Sequence, residues 1–509
     1  MSSPVIVAGA GPAGLTLAGE LALAGAPVVV LDRLPAADPH APGQAVNAAT
    51  VELLDQRGLL DDLRADAIPL PGAHYALLWL HPQRLAGPRE HGLIVPQTRL
   101  EAALAERLTA SGVEIRRGHG LTGLRQDAGG VTARISGPDG PYELRGSYLV
   151  GADGQDSTVR RLAKIAFPGG DWALSGLVAD VETDFAALAP EHLGARLTEA
   201  GAMYSACPAG PGVLRVITAT ATATATGRAR GAVRAPATLE ELQREITRLT
   251  GWPLPAGALR WAERFTSTSG NAERYRDGRV FLVGDAAHTF CPLGGLRINT
   301  AVHDAVNLGW KLAADLNGWA PPGLLDTYHD ERHPAGARAV RALDAQLALV
   351  QGPEHVGALR DLLTDLIGLD DVNRYLLELV TGTDVRHPSP VDGHPLVGRR
   401  LPNLPLVTTD GARTTTAALQ RRARGILLRP GGDGRRHHDG AHRWSDRVDT
   451  VSARPTPELT AATGGAAVLL RPDGHIAWTD PAAAPATAPA PGGGPALAEA
   501  LRAWFGDPR

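Results

Sequence analysis

The strongest constraint in the chain is a glycine-rich turn set between two apolar runs near its start. Val5–Val7 carries no polar alternation, the pattern of a parallel strand buried on both faces. Gly9-Ala10-Gly11-Pro12-Ala13-Gly14 follows at once. Leu15–Ala24 then has a helical pattern that Gly25 stops, and Val28–Leu31 is a second apolar run ending at Asp32 and Arg33. Each glycine has its own reason. Gly9 permits a tight turn out of the strand, Gly11 lets backbone approach a diphosphate, and Gly14 lets the helix pack closely on the sheet. The helix N-terminus offers free N–H groups and a positive dipole end to phosphate. Asp32, 18 residues after Gly14, stands where a carboxylate can bind a ribose hydroxyl pair. The set predicts an α/β, Rossmann-type dinucleotide-binding domain, with Gly9, Gly11, Pro12, Ala13, Gly14, Asp32 and Arg33 as candidate contacts.

The remaining composition excludes several function classes. With 50 Lys+Arg against 54 Asp+Glu, the net charge of -4 gives no electrostatic reason for a nucleic-acid partner. The two cysteines, Cys207 and Cys291, lie far apart and fit no disulfide framework or zinc spacing, which fits a reducing cytoplasm and no metal. The apolar N-terminus is interrupted by Glu20 and by recurring glycines, and it has neither a basic leader nor a cleavage site. It is therefore read as strand, helix and strand, with no membrane partner. Oligomeric state is left open, a homo-oligomer included.

Further along, Arg99–Ala110 reads as a helix and Val113–His119, Leu121–Gln126, Val131–Ser136 and Tyr142–Val150 as strands. Residues 172–275 look strand-rich with one helix near Leu239–Leu249, and the Ala-Thr alternation within Val213–Thr226 reads as a plain strand. Val280–Val283 is a strand running into Gly284-Asp285. Helices are expected from about Gly295 to Leu316, over Leu324–Val350 and over Ala358–Val380. Pro388–Pro405 looks like a linker and Pro481–Pro495 like a flexible loop.

Several segments resemble the class A flavoprotein monooxygenases of the para-hydroxybenzoate hydroxylase type. Gly151-Ala152-Asp153-Gly154, with Ser157 and Val159-Arg160, is similar to their DG motif. Gly278-Arg279-Val280-Phe281-Leu282-Val283-Gly284-Asp285-Ala286-Ala287-His288 is similar to their GD motif. Asp304–Leu312, Tyr328–Pro334 and Pro96-Gln97 with Leu100-Glu101 resemble further family segments in the same order. The aromatic polyketide hydroxylases are the subgroup most resembled, and their thioredoxin-like C-terminal domain matches Val468–Gly474 and its surroundings; without a CxxC that domain is expected to be structural.

The resemblance implies FAD as cofactor, NADPH or NADH as transient reductant, and molecular oxygen and an aromatic small molecule as co-substrates. It implies hydroxylation of a polycyclic aromatic polyketide through a flavin C4a-hydroperoxide. Asp285 and Gln97 are implied to bind the ribityl chain, Asp153 to lie near the pyrophosphate, and Pro292 to line the flavin edge. The helix starting near Gly295 is implied to aim N–H groups at the flavin N1/O2 end, and Gly284 and Asn299 are implied as further cofactor contacts. Phe290, Cys291 and Arg297 are candidates for lining the active site. Three domains are expected: FAD-binding from 1–171 and 276–395, substrate-binding from 172–275 with 72–95 joining it, and thioredoxin-like from 396–509.

Two departures fall beside the expected flavin. The family usually has Gly-Gly-Gln-Gly-X-Asn-Thr-Gly where this chain reads Gly294-Gly295-Leu296-Arg297-Ile298-Asn299-Thr300-Ala301. Arg297 places a long cation where backbone should approach closely; it either blocks the ring, pairs with the flavin or an acidic substrate, or points to solvent. Residues 42–49 lack the arginine that the family directs at the pyrophosphate. These departures keep two rivals open: a Baeyer–Villiger or other oxidative rearrangement on the same scaffold, and an FAD-poor, non-redox ligand-handling protein.

Overall fold

Val5–Ala8 is buried throughout, as a run of apolar residues without alternation requires, and it lies at the middle of a six-stranded sheet. The computed structural model describes residues 3–70, 72–85, 91–199, 201–222, 236–290, 293–350, 353–391, 394–431, 440–480 and 497–508. In it the first strand pairs in parallel with Val28–Asp32 on one side and Tyr148–Gly151 on the other, Val5 standing opposite both Val28 and Tyr148. Glu114–Arg117 extends one edge, and Val280–Leu282 with the antiparallel Arg276–Asp277 extends the other. Helix Pro12–Leu23 packs against helices Gln97–Ala110 and Leu296–Leu316. The Rossmann-type α/β arrangement implied by the glycine turn is thus present.

One strand expectation needs correction. Tyr142–Val150 is two strands: Gly140–Gly146 belongs to an antiparallel sheet with Gly120–Asp127 and Gly130–Gly137, and Tyr148–Gly151 belongs to the parallel sheet. The chain changes sheets at Ser147, whose N–H donates to the Pro4 carbonyl at 2.9 Å. Gly146 makes the corner feasible, since a Cβ there would lie 2.8 Å from both Ile6 Cγ1 and the Pro4 oxygen.

A second six-stranded sheet runs in the order Gly194–Leu197, Met203–Gly210, Val213–Thr222, Gly169–Glu182, Leu259–Asn271, His288–Thr289. The Ala-Thr repeat enters it as Val213–Thr222, and residues 223–226 lie outside the described residues. His288–Thr289 leaves the GD segment and pairs with Gly270–Asn271, which fastens this sheet to the parallel one.

The helical stretch also differs from expectation. Thr327–Leu349 is one helix with Pro334 inside it, but Ala358–Val380 is divided into Pro353–Ile367 and Asp370–Thr381. At the break, a Cβ on Gly368 would lie 2.8 Å from the Asp365 carbonyl oxygen. Nor is the Pro-rich stretch after 388 a free linker. Val391, Val397, Leu401 and Leu404 are buried, and bridges join Arg386 to Arg399 and Arg400 to His475.

The C-terminal sheet is ordered Val448–Ala453, Gly425–Pro430, Val468–Leu470, Ile476–Thr479, the first two parallel and each later pairing antiparallel. Its helix Leu497–Phe505 sets Trp504 and Phe505 against Trp310 and Trp319. The expected loop Pro481–Pro495 lies outside the described residues, and among those described no helix is long and apolar enough to cross a membrane.

Candidate functional site

At the carboxyl end of the first strand, the fingerprint loop is built by close backbone approach. Gly9 has φ +111°, and a Cβ on it would meet the Ala152 carbonyl oxygen at 2.2 Å. A Cβ on Gly14 would lie 2.0 Å from the Gly9 oxygen, so helix, turn and DG segment interlock only without side chains there. Gly11 differs: the space over it is clear except for a Glu101 carboxylate oxygen at 4.0 Å. Helix Pro12–Leu23 begins there with Gly11 as N-cap, no side-chain cap and Pro12 in its first turn, so N–H groups including that of Ala13 face the gap. Asp32 accepts the Ala10 N–H on one oxygen and the Leu34 N–H on the other, both at 2.9 Å, and Arg117 stands 3.3 Å away. Its carboxylate therefore also holds the fingerprint loop, with lone pairs to spare for a hydroxyl pair. Arg33 is exposed. Asp153 sits beside Gly9 but spends its oxygens on the Ser157 hydroxyl at 2.5 Å and the Thr158 and Val159 N–H groups, capping the short helix Thr158–Leu162.

The GD segment meets this loop directly. Gly284 has φ +59°, and a Cβ there would lie 3.0 Å from the Ala301 Cβ and 3.1 Å from the Ala13 Cβ, so three elements distant in sequence touch at one glycine. Gly295, with φ +67°, is the N-cap of helix Leu296–Leu316 and provides no side-chain cap, leaving a second helix N-terminus open. Arg297, in the first turn, forms an ion pair with Asp285: Nη2 donates to Oδ2, and Nε lies 3.5 Å from Oδ1. Arg297 is thus turned onto the GD aspartate, a partner that the sequence reading did not name. Asn299 is buried; its amide donates to the Gly295 carbonyl at 2.5 Å and its oxygen accepts the Asn47 N–H at 2.9 Å. Phe290 is fully buried and stacks on His288, with ring centroids 4.8 Å apart. Cys291 and Pro292 lie outside the described residues.

Around the two loops stand the expected Gln97 and three residues to which sequence reasoning gave no role in the site: Glu101, Arg160 and Asp304. Gln97 donates from its amide to Glu101 at 2.8 Å and from its backbone N–H to Gly43 at 2.9 Å. Burial pushes the Glu101 carboxyl up, only partly offset by Gln97 and Arg117, while Asp38 and Asp32 push it further. Its position, one helical turn after Gln97 and facing Gly11, was the available signal. Arg160 is buried, donates to the Ala286 and Gln155 carbonyls at 2.7 and 2.6 Å, and ties the DG segment to the GD segment. Asp304 accepts from Gly284 N–H at 3.1 Å, pairs with His288 at 2.6 Å and with Arg332 at 2.7 Å. Burial opposes its ionisation, but His288 and Arg332 outweigh that and hold its carboxyl below the usual range.

Where the family's arginine is missing, Gln44 donates to Cys207 Sγ at 2.7 Å, and burial pushes that thiol up to about 11. The preceding carbonyls of Ala41, Pro42 and Gly43 accept from Arg215 of the second sheet at 3.0, 3.0 and 3.3 Å. Among the described residues, no group of three or more His, Cys, Asp or Glu is arranged to hold a metal ion.

The clear space over Gly11 and the two open helix N-termini, joined at the Ala13–Gly284–Ala301 contact, fit a long diphosphate-containing cofactor with an anionic ring system at its far end. The fold and this cradle define a dinucleotide-binding oxidoreductase of the flavoprotein kind. Residues 2–343 match the family described as FAD binding domain, and residues 394–508 the one described as aromatic-ring hydroxylase, C-terminal. A 12-dehydrotetracycline 5-monooxygenase/anhydrotetracycline 6-monooxygenase of Streptomyces rimosus is 43% identical, with all of both chains covered. The solved structure of OxyS anhydrotetracycline hydroxylase from Streptomyces rimosus is similar at 41% identity and TM-score 0.87 over all of both chains. That of the Diels-Alderase PyrE3, from the biosynthetic pathway of pyrroindomycins, is similar at 42% identity and TM-score 0.83, covering 99% of this chain and 100% of that one. The chain belongs to the FAD-binding aromatic-ring hydroxylase family. FAD is its cofactor, and it is an oxidoreductase.

Proposed function

We propose that the chain is an NAD(P)H-using monooxygenase that places one oxygen atom on a polycyclic aromatic polyketide in secondary metabolism. One observation carries the reading: an apolar cluster packs beside the second open helix N-terminus, formed by Leu174, Met203 and Ala219 of the antiparallel sheet and by Phe290, Leu293 and Leu296 after the GD segment. An apolar wall beside the ring end of the cofactor suits a flat apolar ring system. When bound, FAD supplies the hydride acceptor and the oxygen-activating centre. The chain's own residues position and shield it. Gly9, Gly11, Pro12, Ala13 and Gly14 receive the diphosphate, Asp32 with Arg33 the ribose end, and Asp285 and Gln97 the ribityl chain, with Asp153 and Gly284 shaping the floor. Gly295 and Asn299 fix the helix start at the ring, and Phe290, Cys291 and Pro292 border it.

The same reading divides the chain into an FAD-binding part (1–171 and 276–395), a substrate part (172–275 with 72–95) and a thioredoxin-like part (396–509). The last is supported by its strand order, with the first two strands parallel and the last two antiparallel. Molecular oxygen is the co-substrate, and a cytoplasmic setting fits the cysteine usage.

A second reading, a rearrangement or ring closure of a polyketide without net oxidation, is favoured by the Arg297–Asp285 pair and by the likeness to PyrE3. One assay separates the two. The purified chain, reconstituted with FAD, is given NADH or NADPH with and without anhydrotetracycline as probe. Substrate-stimulated NAD(P)H oxidation and a product heavier by one oxygen are expected. Peroxide as the sole product, or an isomer of unchanged mass formed without NAD(P)H, would overturn the monooxygenase reading.

A further inference from the structure

Arg297 occupies the second position of helix Leu296–Leu316, whose first turn contains no acidic residue. A cation there faces the positive end of the helix dipole, an unfavourable placement. Asp285 relieves it from outside the helix through the ion pair, and both side chains keep access to solvent, at 29% and 24% of their surface. The carboxylate is thereby engaged at both oxygens, by Nη2 on one and by the nearby Nε on the other. The pair also stands at the Gly284 corner where fingerprint helix, GD loop and long helix touch.

We propose that Arg297 competes with the cofactor for Asp285, so that this one residue weakens FAD binding and makes it depend on ionic strength. The inference rests on Asp285 being a cofactor ligand, as argued above. For FAD to seat, Asp285 has to exchange a charged partner for a hydroxyl, and Arg297 has to swing towards solvent against the pull of the carboxylate. A partly exposed ion pair of this kind is screened by salt. Removing the cation frees the carboxylate and also removes the unfavourable charge at the helix start.

The test is a titration of FAD into the FAD-stripped full-length chain, followed by flavin fluorescence at low and at high salt. It compares the unaltered chain, Arg297→Ala, Arg297→Gln and Asp285→Asn. Both arginine variants are expected to bind FAD about threefold to tenfold more tightly at low salt. Their advantage should shrink towards none at about 1 M salt, where the Debye length is about 3 Å. Asp285→Asn is expected to bind more weakly than the unaltered chain. If the arginine variants bind FAD equally or less tightly while Asp285→Asn is weakened, the competition is refuted and Asp285 remains a cofactor ligand. If Asp285→Asn binds as tightly as the unaltered chain, the reading of Asp285 fails first; a gain from Arg297→Ala would then be steric, and the inference fails with it. Arg297→Gln guards against a folding defect in the alanine variant, since it keeps the length and hydrogen bonding of the side chain without its charge.

Discussion

Gly284 concentrates the residue-scale constraints. It needs φ +59°, and the Ala301 and Ala13 methyl groups already stand at the distance a Cβ would need. Gly284→Ala is therefore expected to lower stability by about 2–3 kcal/mol, from left-handed strain plus overpacking, read as a lower midpoint in urea unfolding of the FAD-free chain. Ala301→Gly alone should cost about 1 kcal/mol as a glycine in a helix. The double variant should recover part of the Gly284→Ala loss, because it reopens the space on one side; strictly additive losses would show that the methyl contact is not the cause. The glycines of the fingerprint were legible in the sequence because their reasons are local, a turn and a close approach within a few residues. Arg297 was legible only as a misfit. Its partner is set by how the GD loop folds back on the helix start, and no spacing rule states that. Asp153 shows the opposite limit: its motif was legible, yet its oxygens are spent on a helix cap.

Between elements, the Arg215 side chain joins the second six-stranded sheet to the 41–43 loop, two segments that the sequence could only treat separately. It pairs with Asp180 through Nε and Nη2, both at 2.7 Å, faces the Trp261 ring at 5.7 Å, and donates Nη1 to the Ala41–Gly43 carbonyls. Trp261 in turn stacks on His40. The second six-stranded sheet thus grips the loop that precedes Gln44, in the segment without the family's arginine. Arg215→Ala leaves the Asp180 charge, 16% exposed, without this partner. It is expected to cost about 3 kcal/mol, and Asp180→Asn in the same chain should restore part of it. Denaturant unfolding of the four chains of that cycle measures the coupling, and a coupling energy near zero would mean that the clamp carries no weight. The element-scale misreadings have related causes. Tyr142–Val150 looked like one strand because its residues favour extended backbone on both sides of Ser147, and only tertiary pairing divides it between two sheets. Ala358–Val380 kept a helical pattern across Gly368 because the pattern records buried faces, and a single glycine does not interrupt it.

Across the whole molecule, the C-terminal part is joined to the FAD-binding part through buried charge. Arg471 pairs with Glu331 at 2.7 Å and with Asp473, Lys311 reaches Glu331 at 3.0 Å, and the Trp310 indole donates to Asp473 at 3.2 Å. Burial pushes the Lys311 ammonium down to about 8, and Glu331 only partly restores it. Beside this cluster lie three imidazoles: His303 of the long helix, half-buried and 3.4 Å from Arg400, and the buried His387 and His475, whose ring centroids are 4.2 Å apart. Burial lowers all three from the usual value near 6.5; Arg400 adds to this at His303 and His475 at His387, while Asp473 opposes it at His475. The unfolded chain binds a proton at each below about pH 6.5, and the folded chain does not. Stability is therefore full above that pH and falls as the medium is acidified through it, by up to about 1.4 kcal/mol per pH unit for each imidazole. Glu331 and Asp473, held below their usual range because Arg471 outweighs the burial that opposes ionisation, add a further loss only below about pH 4.5. Lys311 acts at the alkaline end: its depressed value means that the unfolded chain holds the proton longer, so stability rises between about pH 8 and 10.5. The expected result is a melting temperature that drops between pH 7.5 and 5.5 and drops less in His387→Gln, which removes one of the three titrating groups. An unaltered chain whose melting temperature is flat over that interval would mean that the imidazoles are protonated within the fold, and that the junction of the two parts is not held by neutral rings.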